Sequence, residues 1–562
     1  MSSRTISLLF PADAAQSGAW MRLSPQCVRD LGLEEIAAAM AVPGIGSGDV
    51  LEILSTLCTD AGVIEYRQSI LDDLVSNPSL VPAFEEVLPK IGEMIWYTST
   101  HRSQGTPLLQ VIWRIGELEL YVECLESFHR VLSGEGDGIR SKGLRSLSEE
   151  VEARRASPDY QSLQTELPKM KEALRKRRSV TIGVNLDERL RPVEAVLVSV
   201  NEESYREQSL LSRLFGREMS ASGFDTPLPL HATPRPPERS LYPTGAFPLA
   251  PLFQDLERLL HSLTRPLLSH IRKYVQINTQ FLETLRPELA FFIGAMHLLD
   301  RLKTAGLHVS RPTIRPIEER TLVAHDFYNL HLALRMVEEH GSNAQREMIC
   351  NDASFGEEGR IFVLTGPNQG GKTTFTQGIG ILQVFGQAGL PVPAREAMLS
   401  PADQVITHFP LEEAGELEQA RLAEEASRLQ ALFHTITDKS LILLNESLSS
   451  TSPGESVYLA EDIVSAFRIV GARAVFATHL HELAYRLEEI NASVEGDSKV
   501  VSLVAGVAEK ETPPGSTNGV ARRTFRITPG PPIGKSYARD IAEQYGISLS
   551  RIRSSLKERG IL

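Results

Sequence analysis

The sequence predicts an α/β domain with a parallel sheet at residues 311–562, preceded by a mainly α-helical region at residues 1–310. The first observation is periodicity. Up to about residue 300, apolar residues recur every three or four positions, as on one face of a helix. The second is a set of three apolar runs separated by helical segments, RIFVLTG, SLILLNE and ARAVFATH. Strands that alternate with helices predict a parallel sheet covered on both faces.

The helical region contains segments of different character. Residues 150–178 are charged and helical with few large apolar side chains, which is typical of an exposed helical arm. The valine-rich alternation near 180–200 predicts a small β element. Residues 219–251 are rich in proline and glycine and predict a loop, after which helical periodicity resumes.

Composition indicates a soluble globular protein, because 42% of the 562 residues are hydrophobic and 23% are charged. No apolar run reaches membrane-spanning length and the first residues lack a secretory signal, so we expect a cytoplasmic protein with no membrane partner. The cysteines are scattered without a CxxC pair, which favours free thiols over a disulfide or zinc framework. They are Cys27, Cys58, Cys124 and Cys350.

The net charge of −13 argues against a protein that binds nucleic acid with its whole surface. It leaves room for a local basic patch, of which LRKRRS at 174–179 is the densest. For any single short run, a solvated helix face remains the favoured interpretation.

A phosphate-binding loop is the strongest motif. Gly366, Gly371, Lys372 and Thr373 complete the pattern G-x-x-x-x-G-K-[ST] between a predicted strand and a predicted helix. Backbone N–H groups and the helix N-terminus would hold phosphate, Lys372 would neutralise its β/γ oxygens, and the Thr373 hydroxyl would bind Mg²⁺. A Gly-rich turn with a stray lysine does not account for this context. The residues expected to contact the nucleotide here are Gly366, Pro367, Asn368, Gln369, Gly370, Gly371, Lys372, Thr373 and Thr374.

Two further strands end in polar residues suited to hydrolysis. In LILLNES, the apolar run is followed by Asn445 and Glu446. Asn445 can orient a metal-bound water without adding negative charge, and Glu446 is the candidate general base. His479 ends the later strand, where its imidazole could reach the γ-phosphate. Alone, each would be interpreted as structural, but their order after the phosphate-binding loop favours a functional role.

These motifs resemble the MutS family of DNA mismatch-repair ATPases, a branch of the ABC-type ATPases. TGPNQGGKTTF is similar to the family's TGPNMGGKSTF, and ATHLHEL is similar to ATHYHEL. STSPGES resembles the GTSTxEG segment, GLPVPAREAML matches the stretch beyond the loop helix, and GKSYARDIAEQYGIS resembles a late stretch of the ATPase domain. Upstream segments resemble the helical core and lever (clamp) domain.

The resemblance implies an ABC-type ATPase with ATP and Mg²⁺ as cofactors. It assigns catalysis to Glu446, His479 and Lys372, and the metal to Thr373 and Asn445. In REMICNDASF, Met348 stands where the family carries an adenine-stacking Phe.

The resemblance also implies partners. An ABC-type site is composite, so a working pair of sites needs a homodimer or a related chain. ATP would close the dimer and the helical arms would hold duplex or branched DNA in repair or recombination. By position and charge, the expected phosphate contacts are Arg175, Lys176, Arg177 and Arg178.

Departures from the family leave an alternative open. The mismatch-reading and connector domains and the endonuclease-type domain have no counterpart, the Walker B Asp is Asn445, and EEAGELEQARLAEEASRL lacks the signature serine–threonine pair. These features favour a nucleotide-regulated scaffold with weak or no ATP turnover that binds another protein or the ribosome. A third interpretation, a generic P-loop kinase, is set aside because ATHLHEL and STSPGES have no role in such an enzyme.

Overall fold

The structure is a computed structural model. It describes residues 6–12, 20–103, 107–134, 138–175, 179–186, 192–201, 271, 274, 277, 279–367, 369–410, 418–448, 453–508, 522–531 and 549–559.

The α-helices of the described residues are, in chain order, α1 (Pro25–Asp30), α2 (Leu33–Ala39), α3 (Ser47–Leu54), α4 (Ala61–Ser76), α5 (Leu80–Ser103), α6 (Pro107–Gly134), α7 (Lys142–Arg155), α8 (Pro158–Arg175), α9 (Gln280–Thr304), α10 (Leu330–His340), α11 (Ala344–Glu347), α12 (Lys372–Ala388), α13 (Glu418–Phe433), α14 (Pro453–Val470), α15 (His481–Tyr485), α16 (Leu487–Ser493) and α17 (Leu549–Glu558).

The strands are, in the same order, β1 (Trp20–Arg22), β2 (Thr56–Cys58), β3 (Ser179–Leu186), β4 (Pro192–Asn201), β5 (Thr313–Ile314), β6 (Leu322–Phe327), β7 (Asn351–Phe355), β8 (Ile361–Thr365), β9 (Glu396–Leu399), β10 (Val405–His408), β11 (Leu441–Asn445), β12 (Arg473–Thr478), β13 (Val500–Ala508) and β14 (Arg522–Pro529). The antiparallel pair β3–β4 lies where the valine-rich alternation predicts a β element.

The parallel sheet predicted for the C-terminal part is present. Its strand order is β10-β11-β12-β8-β13-β14, with every neighbouring pair parallel except the antiparallel pair β13–β14. A second sheet of order β5-β9-β6-β7 is mixed. In the larger sheet, Thr365 lies opposite Thr478 and Asn445 opposite Ala477, so the carboxyl ends of β8, β11 and β12 meet at one edge.

One face of this sheet forms a core with α13, α14, α15 and α16. Alternate residues of a strand point to the same face, which is why Ile361 and Val363 of β8 join the core together with Ile442 and Leu444 of β11. The helices contribute a buried aromatic residue, Phe467, among smaller aliphatic side chains.

The opposite face is covered by α12, which is buried nearly all round. The N-terminal elements pack against it through polar side chains as well as apolar ones. Gln377 Nε2 donates to Asp30 O, and Gln387 Nε2 donates to Cys58 O, each at 2.8 Å. A helix buried on all sides is typical of the centre of a domain, so residues from the first helices belong to the same core as α12.

The N-terminal segment is held to the same core by two buried charged residues. Arg67 donates to Leu9 O at 3.0 Å and to Ala388 O at the end of α12 at 3.4 Å. Glu288 of α9 accepts hydrogen bonds from Ser7 Oγ and Leu8 N, both at 2.6 Å. Burial lowers the pKa of Arg67 to about 10 and raises the pKa of Glu288.

The chain divides into two compact units, and the division does not fall at residue 310. One unit comprises residues 1–89, 127–151 and 280–562, and the other comprises residues 90–126 and 152–279. The first 89 residues and α9 therefore belong to the same compact unit as the α/β part, while the predicted domain boundary near residue 310 stays a prediction. The long-range hydrogen bonds onto α12 described above account for this packing, and no local sequence pattern predicts them.

The second unit has its own polar contacts. Glu126 accepts hydrogen bonds from Arg155 Nε at 3.1 Å and from Tyr160 Oη at 2.7 Å, and Thr279 Oγ1 donates to Glu117 at 2.9 Å. The basic run expected to bind phosphate is only partly visible. Arg175 is the last residue of α8, and residues 176–178 lie outside the described part of the chain, as do residues 219–251.

All four cysteines are unpaired. No helix in the described part of the chain combines the length and the apolar character needed to cross a membrane.

Candidate functional site

The loop from β8 to α12 has the backbone that a phosphate-binding loop requires. Gly366 has φ 148°, and a Cβ on it would lie 2.6 Å from Ala505 Cβ, so only glycine fits there. Gln369 is in the left-handed region, with φ 58°. The loop ends where α12 begins at Lys372, which places backbone N–H groups and a helix N-terminus at one point. Asn368 lies outside the described residues.

Lys372 is nearly fully buried beneath this loop. Its Nζ donates to Gly366 O at 3.0 Å and Pro367 O at 3.2 Å, and lies 3.8 Å from Glu446 Oε1. Burial lowers the pKa of Lys372 to about 8, and the nearby Glu446 carboxylate offsets this only in part. The lysine side chain is therefore about half protonated near pH 8.

Thr373 and Asn445 meet next to the loop. Thr373 Oγ1 donates to Asn445 Oδ1 at 3.2 Å, and Asn445 is the last residue of β11. A hydroxyl and a side-chain carbonyl are oxygen donors of the kind that Mg²⁺ accepts, although this pair carries no negative charge.

Glu446 and His479 lie together beside Lys372. His479 Nε2 and Glu446 Oε1 are 2.8 Å apart, and the His479 ring lies 3.5 Å from Lys372 Nζ. Glu446 has φ 51°, an uncommon conformation for a residue other than glycine. Such strained backbone is often found at functional sites. The structure thus brings together the three residues for which the sequence predicted catalytic roles.

A cavity of about 410 Å³ opens over the loop. Its walls combine the loop and the start of α12 with apolar residues of β6, α10 and β14. The lining residues are Phe327, Tyr328, Asn329, Leu332, Met336, Glu347, Ile349, Asn351, Gln369, Gly370, Gly371, Lys372, Thr373, Thr374, Phe375, Glu446 and Phe525.

Met348 does not line this cavity. It is 8% exposed and buried, whereas its neighbour Ile349 is 38% exposed and does line it. Ile349 is therefore the residue of this segment that faces the cavity, and the role predicted for Met348 stays a prediction. Successive residues on extended backbone point in opposite directions, which is why a one-residue difference exchanges a buried side chain for an exposed one.

Phe525 is a cavity residue that sequence reasoning missed. It lies on β14 with φ 56°, and its side chain stands over Gly371 at 3.7 Å from the position of a Cβ there. Asn351 fixes this irregular stretch, because its Nδ2 donates to Phe525 O at 3.2 Å and its Oδ1 accepts from Ile527 N at 2.7 Å. An exposed aromatic residue on a late strand is the only signal that the sequence offers.

Three motif segments lie outside the described residues or extend beyond them. Residues 411–417 precede α13, residues 449–452 precede α14, and residues 532–548 follow β14. These include the glycine of EEAGELEQARLAEEASRL, the first three residues of STSPGES and all of GKSYARDIAEQYGIS.

A parallel sheet with a G-x-x-x-x-G-K-T loop between β8 and α12, and with polar residues at the carboxyl ends of β11 and β12, defines an α/β protein of the P-loop class. Two family models match the chain. The model described as MutS2 N-terminal domain matches residues 59–305, and the model described as MutS domain V matches residues 362–513. The chain belongs to the MutS family.

Curated relatives agree with this assignment. Proteins named Endonuclease MutS2 from Ligilactobacillus salivarius (strain UCC118) and Enterococcus faecalis (strain ATCC 700802 / V583) are each 30% identical, over 207 and 212 residues. The protein of the same name from Lacticaseibacillus casei (strain BL23) is 31% identical over 206 residues. These matches cover 36%, 37% and 36% of this chain, and each covers 24% of the relative. The chain thus matches about a quarter of the length of these relatives.

Proposed function

We propose that the chain binds ATP with Mg²⁺ in the cavity over the β8–α12 loop, hydrolyses it slowly, and works as a dimeric, ATP-gated DNA clamp in repair or recombination. The observation that carries this proposal is the convergence of five side chains. Lys372, Thr373 and Glu446 line one end of that cavity, and Asn445 and His479 contact Thr373 and Glu446. These five side chains come from three places, the start of α12, the end of β11 and the end of β12, and their order along the chain follows the MutS pattern.

The phosphates would lie on the loop backbone, where Lys372 would exchange its two carbonyl partners for phosphate oxygens. Thr373 and Asn445 would hold Mg²⁺ with the phosphates supplying further oxygens. In the described residues no cluster of three His, Cys, Asp or Glu side chains could hold a metal alone. Mg²⁺ bound by one or two protein groups plus substrate phosphates is the usual arrangement, and the ion would neutralise phosphate charge.

The base would lie between Ile349 and Phe525 in the apolar part of the cavity, with Leu332 and Met336 behind it. Ile349 and Phe525 are 38% and 44% exposed, so both have surface available for a planar ring. Aromatic and apolar side chains on the two sides of a base provide stacking without strong base selectivity.

Glu446 would orient or deprotonate the attacking water, and His479 would sense the γ-phosphate from the end of β12. The 2.8 Å contact between Glu446 and His479 supports this assignment, since it fixes both side chains at the phosphate end of the cavity. A general base held in this way would be within reach of a water next to the loop.

Closure of two copies would complete each site, because ABC-type sites are shared between subunits. Helical segments would transmit closure to arms that contact duplex or branched DNA through its backbone. Arg175 and the three basic residues after it remain the proposed contacts. DNA held in this way would show strong salt dependence and little sequence preference.

Calorimetric titration of ATP in the presence of Mg²⁺ tests the site. The wild-type chain should bind, Lys372→Ala should not, and the exposed-lysine control Lys499→Ala should bind like wild type. Turnover measured with duplex and branched DNA over a salt series tests the clamp. Absence of nucleotide heat would refute the site, and turnover indifferent to DNA at low salt would refute the clamp alone.

One observation favours a second function, a nucleotide-regulated scaffold with little turnover. Asn445 takes the Thr373 hydrogen bond without supplying the negative charge that an aspartate would place beside the metal. If Asn445→Asp raises hydrolysis strongly above a near-zero baseline, the natural protein is mainly a switch. If Glu446→Gln traps bound ATP in a protein that otherwise turns over, the natural protein is a working ATPase.

A further inference from the structure

The turn that follows β11 is unusual in its backbone. Glu446 has φ 51° and Leu448 has φ 65°, so two residues with side chains occupy the left-handed region within three positions. L-residues avoid this region unless their surroundings hold them in it. The direction of the Glu446 carboxylate depends on this turn, because the side chain leaves the backbone at the strained position itself.

Two contacts from the sheet hold the first half of the turn. Glu446 N donates to Ala477 O of β12 at 2.8 Å. The Ser447 hydroxyl lies 2.9 Å from His408 Nδ1, at the end of β10. Burial lowers the pKa of His408, while Glu425 and Asp30 act to raise it and Arg428 acts to lower it. The His408–Ser447 contact is therefore one between neutral groups at physiological pH.

Two contacts from helices hold the second half. Leu448 N donates to Glu425 Oε1 of α13 at 2.5 Å, and Ser456 Oγ of α14 donates to Leu448 O at 2.8 Å. Glu425 is the anchor with a carboxylate, and a hydrogen bond to an ionised acceptor is about twice as strong as one between neutral groups. Like Ser456, it reaches the turn from a helix outside the sheet that forms the site.

Helix α13 is well placed to hold Glu425 still. Leu429 and Leu432, one and two turns further on, are buried in the core beneath the sheet. Residues four apart lie on the same side of a helix, so the Leu429 contact fixes the face from which Glu425 reaches the turn. A displacement of α13 along its axis would pull on the Leu448 amide directly.

We infer that Glu425 is a positioning residue for Glu446, acting through the Leu448 amide to hold the carboxylate against His479 and Lys372. This inference rests on the proposed function, in which Glu446 orients or deprotonates the attacking water. Removing the Glu425 carboxylate releases one of the four anchors and lets the turn relax towards an unstrained conformation. Glu425 does not line the nucleotide cavity, so of the residues in its walls only Glu446 is expected to move.

Steady-state ATP hydrolysis by Glu425→Ala and Glu425→Gln tests the inference, with Gln430→Ala as the control. Gln430 is exposed on the same helix. Glu425→Ala should lower kcat about ten-fold or more, because sub-ångström placement of a base governs rate, while KM and nucleotide affinity change little. Glu425→Gln keeps an oxygen acceptor and should recover most of the rate. A structural role alone would not separate kcat from affinity in this way.

Hydrogen exchange over residues 441–448 supplies the second readout. Exchange at the Leu448 amide should accelerate in Glu425→Ala and stay near wild type in Glu425→Gln and Gln430→Ala. A wild-type kcat in Glu425→Ala, or equal losses in the Ala and Gln variants with unchanged exchange, would overturn the inference. Absence of turnover in wild type would instead overturn the ATPase proposal on which it rests.

Discussion

The pKa of Lys372 makes nucleotide affinity depend on pH in a calculable way. Burial lowers the pKa of this lysine to about 8 in the free protein. The charged form binds phosphate, and bound phosphate favours that form, so binding above pH 8 must first take up a proton. The protonated fraction falls from about nine-tenths at pH 7 to about one-tenth at pH 9, which predicts affinity about ten-fold weaker at pH 9.

The assay is calorimetric titration of ATP with Mg²⁺ at several pH values between 7 and 9, repeated in buffers of different ionisation heat. The buffer series should show uptake of about one proton per site at pH 9. Lys372→Arg is the control, because a guanidinium stays charged throughout and its affinity should be flat with pH. A flat wild-type profile, or an equal slope in the arginine variant, would refute the reasoning.

Three further predictions concern the cavity, the core and the thiols. Phe525→Ala should weaken nucleotide binding about ten-fold in a competition assay, because base stacking contributes about 1–3 kcal/mol, whereas Phe525→Tyr should retain it. Equal nucleotide affinities of the wild type and Phe525→Ala would show that the base does not stack on Phe525. Phe467→Ala should lower the free energy of urea unfolding by about 3–5 kcal/mol, and a loss under about 1 kcal/mol would contradict its packing. Maleimide should label Cys350 alone in the native protein, as seen by intact mass, because Cys350 is only partly buried and the other three cysteines are buried. Burial raises the pKa of all four thiols, to about 11 or 12 for the three buried ones.

Part of the site could be predicted because its residues follow strands directly. Glu446 and His479 come immediately after β11 and its neighbour β12, and the carboxyl ends of parallel strands share an edge. The motif around Lys372 likewise sets its own local structure, a loop that ends in a helix. The roles of these residues stay predictions, while their proximity is a structural fact.

The base end of the cavity could not be predicted in the same way. Phe525 reaches Gly371 only because β14 pairs antiparallel with β13 and is irregular between Arg523 and Ile527, where the register shifts. Ile349 and Met348 are neighbours on an extended segment, and their side chains point to opposite sides of it. Contacts between residues far apart in the chain have no local pattern, and the packing of the first helices on α12 was missed for the same reason.

The burial of α12 has a consequence for anyone who wishes to study the α/β part of the chain separately. A fragment beginning at residue 311 would strip away Leu31, whose Cδ2 lies 2.5 Å from where a Cβ of Gly380 would be, and would leave the buried amide of Gln387 without Cys58 O. The first helices pack closely against α12, so such a fragment would expose an apolar surface and tend to aggregate. A workable shortened protein must instead keep residues 1–89, 127–151 and 280–562 and replace each of the two removed segments with a linker.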